Sequence, residues 1–181
     1  MNPVVIAVSL SEAHTFNKHN QRTIRLIEGF GVEGDAHAGK TVKHRFLVKK
    51  DASRPNIRQI HLIHAELLDS LEEKGFTILP GQLGENITTR GVALLELPTD
   101  TILKIGEEVV IKITALRNPC KQIDECQKGL LKEVLYKDEE GNLVRATGVM
   151  GIILNGGTVQ PGDSIVVELP PEPHLKLEYV W

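Results

Sequence analysis

The sequence predicts a mostly β fold, a barrel of short strands with helices packed outside it. Three observations carry this. Many apolar runs of strand length are punctuated by glycine. The stretch "EEVVIKITAL" (107–116) alternates strictly and puts Val109, Ile111 and Ile113 on one face. A turn idiom also recurs: "LKIGEEVVIKI" (103–113) and "VQPGDSIVVEL" (159–169) both run from Gly through an acid into a short apolar strand. Such a tight turn feeds a barrel strand. At 181 residues the chain suits a single domain with a sizeable core. We take 1–181 as that domain, with its core at about 4–168 and a tail at 169–181.

"PVVIAVSL" opens the chain as a first strand, and "TIRLIEGFGVEGD" (23–35) follows. "RQIHLI" (58–63), "ENITTRG" (85–91), "RATGVMGIIL" (145–154) and "GDSIVVELP" (162–170) complete the strand set. A first helix is predicted over "HAELLDSLEEKG", with Leu67, Leu68 and Leu71 as its apolar stripe and Gly75 as its stop. A second covers "QIDECQKGLLKEVLY", with Ile123, Leu130, Leu131 and Val134 inward. Gly129 weakens it and allows two short helices instead. "VKKDASRPN" (48–56) and "KDEEGN" (137–142) read as surface loops. The tail "PPEPHLKLEYVW" starts with prolines and ends apolar, so it is expected to dock on the body or on another subunit.

Composition excludes several classes. A net charge of −3 gives no bulk case for nucleic acid, and 4% aromatic residues argue against a stacking-based single-strand binder. No apolar run reaches the roughly 18 residues of a membrane span. The start lacks a basic region and a cleavage pattern, so it does not read as a signal peptide. Two cysteines are too few for a disulfide framework, which makes a reducing cytoplasm the expected compartment.

One of those cysteines is placed for chemistry. In "RNPCKQIDEC" Pro119 breaks the preceding strand, so Cys120 sits at a strand exit, where barrel mouths carry functional groups. It lies between Arg117 and Lys121 and before a predicted helix, a setting that favours the thiolate. The thiolate is the form that ligates soft metals and attacks sulfur. A small buried core residue is the competing reading. Cys126 reads as structural, since a gap of five residues matches no usual zinc pair; a regulatory disulfide with Cys120 is the alternative.

"GVEGDAHAG" (31–39) allows a tight turn that aims Asp35 and His37 into a site, or simply a glycine turn with a capping Asp. It is not a dinucleotide fingerprint, because no βαβ unit follows. "HLIH" places His61 and His64 on opposite sides of a strand, which suits one packing histidine and one near a helix start. A zinc hydrolase built on this pair and a cysteine lacks any standard ligand spacing. "GQLGENITTRG" sets Asn86, Thr88 and Arg90 among glycines, which suits an anion site or a plain hairpin.

Taken together, "GVEGDAHAG", "RQIHLIHAELLDSL", "LPGQLGENITTRG", "LKIGEEVVIKIT", "RNPCKQI" and "GVMGIILNGGTVQPGDSIVV" resemble the MOSC domain, the module named for the C-terminal part of molybdenum cofactor sulfurase. The resemblance implies a MOSC-type β-barrel with peripheral helices and places the family's motif cysteine at Cys120. In some members that cysteine is thought to carry sulfur, and in others to ligate the molybdenum of a pterin cofactor. Forms similar to stand-alone bacterial members look like reductases of N-hydroxylated compounds that work with an electron-transfer protein. The sequence departs from the pattern twice. "FLVKKDASRPNI" separates His44-Arg45 from Arg58-Gln59, so the family's arginine falls on either Arg45 or Arg58. Met150 and Ile152 stand where many members carry an aromatic and a basic residue. Pyridoxal phosphate belongs to a separate domain fused to some members, and none is expected in this chain.

Three functions follow from the resemblance and the residues. In a molybdenum-pterin reductase, Cys120 is the metal ligand. Arg58, Asn86, Thr88, Arg90, Arg117, Lys121 and Arg145 then supply cofactor contacts, because guanidinium forks match phosphate. Asp35 and His37 serve as proton donor or orienter. In a sulfur carrier for cofactor or metal-sulfur cluster assembly, Cys120 carries a persulfide taken from a sulfur donor. A non-catalytic module would hold the pterin or another anion and tolerate loss of the thiol.

Overall fold

The computed structural model describes residues 2–179. Most of the alternating runs become strands. They are β1 (Val4–Leu10), β2 (His19–Gln21), β3 (Ile24–Ile27), β4 (Gly31–Val32), β5 (Ile60–His64), β6 (Ile87–Arg90) and β7 (Ile102–Ile105). After these come β8 (Val109–Leu116), β9 (Leu135–Lys137), β10 (Leu143–Arg145), β11 (Val149–Asn155), β12 (Gly157–Val159) and β13 (Ile165–Glu168). The helices are short: α1 (Arg45–Lys50), α2 (Ala65–Glu73), α3 (Ile123–Cys126) and α4 (Leu131–Val134). No helix among the described residues is long and apolar enough to cross a membrane.

Among the described residues the main sheet has eight strands in the order β13-β7-β8-β11-β5-β6-β1-β2. It is mixed: β5 and β6 run parallel across the α2 connection, and the other pairs are antiparallel. The strands form an open sheet, and the closed barrel expected from the sequence is not found. The reason lies in β1. Its C-terminal half, Val8–Leu10, is taken by β2. Only its start is left for the far side of the sheet, which it meets at the isolated bridge Val4↔Ser164 and through Val5 N donating to Asp163 O at 2.9 Å.

The apolar faces pack into two clusters. One gathers on the main sheet around Val8, Leu62, Ile87, Leu103, Ile111, Ile113 and Val149, all essentially without exposure. Alternation along β8 buries Val109, Ile111, Ile113 and Ala115 while the residues between them stay half-buried. The second cluster lies under α2, where Leu67, Leu68 and Leu71 meet Ile63, Leu83, Ile123, Leu130 and Val134. Truncating one such leucine to alanine costs about 2–5 kcal/mol.

One expectation changes in detail, and another is resolved between its two alternatives. The second predicted helix breaks into α3 and α4, because Gly129 adopts φ +89°, which a continuing helix cannot hold, and the chain turns into β9 at Leu135. The tail docks on the body. Thr99 N donates to Leu175 O at 2.8 Å, Leu116 N donates to Glu178 O at 2.9 Å, and Leu177 is buried in the first cluster.

Candidate functional site

Two glycine turns shape the site. Gly81 and Gly84 have φ +88° and +87°, and a Cβ on either would stand 2.6 Å from Lys18 O or 2.7 Å from Phe16 O. Only glycine lets the 12–18 loop lie this close, and that closeness turns Lys18 inward. In the second turn, after β4, Asp35 N donates to Val32 O and Ala36 N donates to Ser11 O, which sets the Asp35 carboxylate under the loop.

Asp35 is the hub of the floor. Its Oδ2 takes the Lys18 ammonium at 2.5 Å and the Asn86 amide at 3.0 Å. Its Oδ1 takes the His37 backbone N–H at 2.9 Å and faces His37 Nδ1 at 3.2 Å. Burial opposes ionisation of Asp35, but the His37 hydrogen bond and the Lys18 charge outweigh it and hold the carboxyl well below its usual range. Burial pulls Lys18 downward and Asp35 opposes that pull. Asn86 ties three segments together. It donates to Ser9 O at 3.1 Å as well as to Asp35, and it accepts from His61 N at 3.2 Å. Beside it the His61 Nε2–H donates to Thr147 O at 2.8 Å. Burial, with Arg117 nearby, pushes His61 down to about 3, so the ring is neutral.

The wall is the exit of β8. Arg117 N donates to Gly148 O at 3.0 Å and extends the ladder by one residue before Pro119 ends it. The Arg117 guanidinium lies over the Phe16 ring at 5.5 Å and lines the cavity together with Cys120. Burial lowers its pKa, and the Cys120 sulfur draws it back. Its Nη1 is buried without a hydrogen-bond partner. Cys120 is half-buried, with Sγ 3.7 Å from Gln122 Oε1. The helix expected to follow it is the single turn α3, too short for a substantial dipole, which leaves Arg117 as the buried cation beside it on the cavity wall.

Floor and wall enclose a cavity of about 320 Å³. Lys18, Lys43, Arg45, Arg58 and Arg117 line it, and among the described residues no carboxylate does. At its mouth three imidazoles gather: His14 and His37 meet edge to face at 5.1 Å, and His37 and His44 lie 6.5 Å apart. Burial, then the neighbouring His37, lowers both His14 and His44. Such a cavity suits an anion.

Of the residues singled out in the sequence, Cys120, His37, Arg58, Asn86 and Arg117 line this cavity, and Asp35 lies directly beneath it. Arg45 and Arg58 both reach it, so the insertion between them does not separate their roles. The others lie elsewhere. Thr88 is buried and donates to Glu85 Oε1 at 3.1 Å. Lys121 is exposed and outside the lining. Arg145 stands behind the wall, its Nε donating to Asn118 Oδ1 at 3.0 Å. Arg90 lies outside the lining, where it clamps Asp69 of α2 through two bonds of 2.6 and 3.1 Å. Met150 lines the cavity, whereas Ile152 does not. Cys126 faces away, towards Asn17 and Gln82. Sequence reading missed Lys18, His14 and Lys43, which sit in stretches without periodicity.

The fold and site define a small, mostly β protein that carries a cysteine and a guanidinium at a strand exit over a cation-lined cavity. The chain belongs to the MOSC domain family, whose pattern it matches over residues 35–166. No protein of curated function matches it. Solved structures share the fold. The YuaD protein of Bacillus subtilis superposes with a TM-score of 0.74 at 22% identity, covering 94% of this chain and 98% of that one. YiiM from Geobacillus stearothermophilus gives a TM-score of 0.67 at 16% identity, over 96% of this chain and 79% of its own. YiiM from Escherichia coli gives 0.60 at 16% identity, over 94% and 72%.

Proposed function

We propose that the cavity holds a molybdenum-pterin cofactor with Cys120 as its protein ligand, and that the protein reduces N-hydroxylated compounds. The observation that carries this reading is the Cys120 sulfur paired with Arg117, whose Nη1 has no partner, at the wall of a cavity lined by cations. The residues fit the group. Among the described residues no cluster of three or more His, Cys, Asp or Glu could hold a bare metal ion. A single thiolate instead suits a soft metal that arrives with its other ligands. The cations suit the phosphate it carries.

The cofactor, when bound, supplies two-electron chemistry at an N–O bond. The protein's residues do the rest. Arg58 and Arg117 hold the anion by charge and hydrogen bonding. Asp35 accepts the Nδ1–H of His37 and so fixes that ring with Nε2 free to pass a proton. Reduction of R–NHOH takes two electrons and two protons and releases R–NH2 and water. An electron-transfer protein supplies the electrons, and His37 relays a proton to the departing oxygen. Neutral His61 and the closed Asp35 network keep competing charges out of the cavity.

Sulfur transfer is the second reading, favoured by the half-exposure of Cys120. Its thiolate would attack a donor persulfide, taking the outer sulfur and releasing the donor thiolate. One measurement separates the two: the molybdenum and pterin content of wild type and Cys120→Ser, purified from a host that makes the cofactor. We expect near-stoichiometric metal in wild type and none in the variant. Metal-free wild type with a persulfide on Cys120 would replace the reductase with the carrier. Equal pterin in both proteins would leave a non-catalytic binding module.

A further inference from the structure

The family match ends at residue 166, yet the tail beyond it reaches the site. Thr99 N donates to Leu175 O, Lys176 forms a bridge with Pro98, and Leu116 N donates to Glu178 O, so the chain is held down up to the exit of β8. These bonds deliver Tyr179. The Arg58 guanidinium carbon lies 5.2 Å from the Tyr179 ring centroid, and that of Arg145 lies 5.3 Å from it.

The two arginines come from different parts of the chain. Arg58 precedes β5 and lines the cavity. Arg145 ends β10 and braces Asn118, a residue of the cavity wall next to the Pro119–Cys120 exit. Two like charges gathered in a half-buried place repel each other. An aromatic ring shared between them offsets that repulsion, because its electron-rich face attracts both.

We propose that Tyr179 is a positioning residue of the anion site. By stacking with both guanidiniums it holds Arg58 on the cavity wall and couples Arg145, and through it the Cys120 exit, to the same point. The ligand class is a phosphate-bearing anion, whether the phosphate belongs to a pterin or is free. The proposal rests on reading the cavity as an anion site and adds the tail as the element that completes it.

The test uses the full chain and inorganic phosphate as probe, followed by calorimetry, so that no metal or turnover is needed. Tyr179→Leu, which keeps bulk and loses the ring, should weaken phosphate binding about tenfold. Tyr179→Phe, which keeps the ring, should restore it to within about twofold of wild type. The Arg58 Nε–Hε resonance should be shifted by the ring in wild type and in Tyr179→Phe, and should move when phosphate is added. Leucine and wild type binding phosphate equally would overturn the proposal, as would phenylalanine binding as weakly as leucine. Should the leucine variant not fold, an Arg58 resonance that ignores phosphate in wild type overturns it, and one that moves supports it. Wild type that takes up no phosphate at all removes the anion site itself, and Tyr179's role with it, a result distinct from the others.

Discussion

Asp35 in the floor of the cavity and Arg117 in its wall are both charges withdrawn from water, and the fold treats them differently. Each Asp35 oxygen is met by protein donors: Lys18 and Asn86 on one, two groups of His37 on the other. Arg117 is left with one buried nitrogen that nothing answers. A satisfied buried network stiffens a structure, whereas an unsatisfied group is a cost the fold carries. The difference teaches how the two parts divide the work. On the proposed reading, the floor is scaffold and the wall is the part that meets a ligand.

The largest expected effect comes from breaking the floor. Asp35→Asn leaves the Lys18 ammonium buried beside a neutral amide and removes the anchor of His37. Losing one partner of a buried ion pair costs about 3–5 kcal/mol. In a chain of this size that lowers the melting temperature by roughly 10 °C. Adding Lys18→Met should recover part of the loss, since the two side chains act as one unit. Scanning calorimetry on the three proteins checks this. A melting temperature for Asp35→Asn within about 2 °C of wild type would mean that the floor is not the scaffold we take it for.

The wall should respond the other way. Arg117→Met keeps the packing on Phe16 and removes the charge together with its unpartnered donor. Phosphate affinity should fall about 10- to 100-fold, the worth of a charged hydrogen bond. The melting temperature should stay within about 3 °C of wild type. A large drop in stability with unchanged phosphate affinity would reverse the comparison and make Arg117 a structural anchor.

How much of this could be read from sequence depends on the range of the signal. Local patterns were legible. The alternation through Val109, Ile111 and Ile113 is β8, and Leu67, Leu68 and Leu71 are the buried stripe of α2. Pro119 marks the strand exit that puts Cys120 at the cavity. What could not be read was set by tertiary partners. Lys18 is buried only because Asp35, 17 positions away, comes to meet it. The closed barrel is expected from glycine-punctuated short strands, a turn idiom and the family resemblance, none of which says how β1 divides its edge between β2 and the β13 side. Asn86, Thr88 and Arg90 looked like one donor set. A strand advances about 3.3 Å per residue, however, so Arg90 stands roughly 13 Å beyond Asn86 and meets Asp69 of α2 instead of the cavity.

That last point yields the smallest predicted effect and the sharpest boundary for the site. Arg90 offers the same guanidinium as Arg117, but both of its bonds go to Asp69, and both partners are open to solvent. Exposed ion pairs of this kind contribute little, because water and salt screen them and two long side chains must be held still. Arg90→Gln should therefore leave the melting temperature within about 2 °C of wild type and phosphate affinity within about twofold. Raising the salt concentration should erase even that difference in stability. If Arg90→Gln instead weakened phosphate binding as strongly as Arg117→Met, the site would have to reach round the sheet to α2. The clamp on Asp69 would then have to open to free the guanidinium, and Asp69→Asn, by releasing it, would have to strengthen binding. Arg90 and Asp69 variants that both bind phosphate as wild type does confine the site to the cavity, which Arg117, with its unanswered nitrogen, and Cys120 line together.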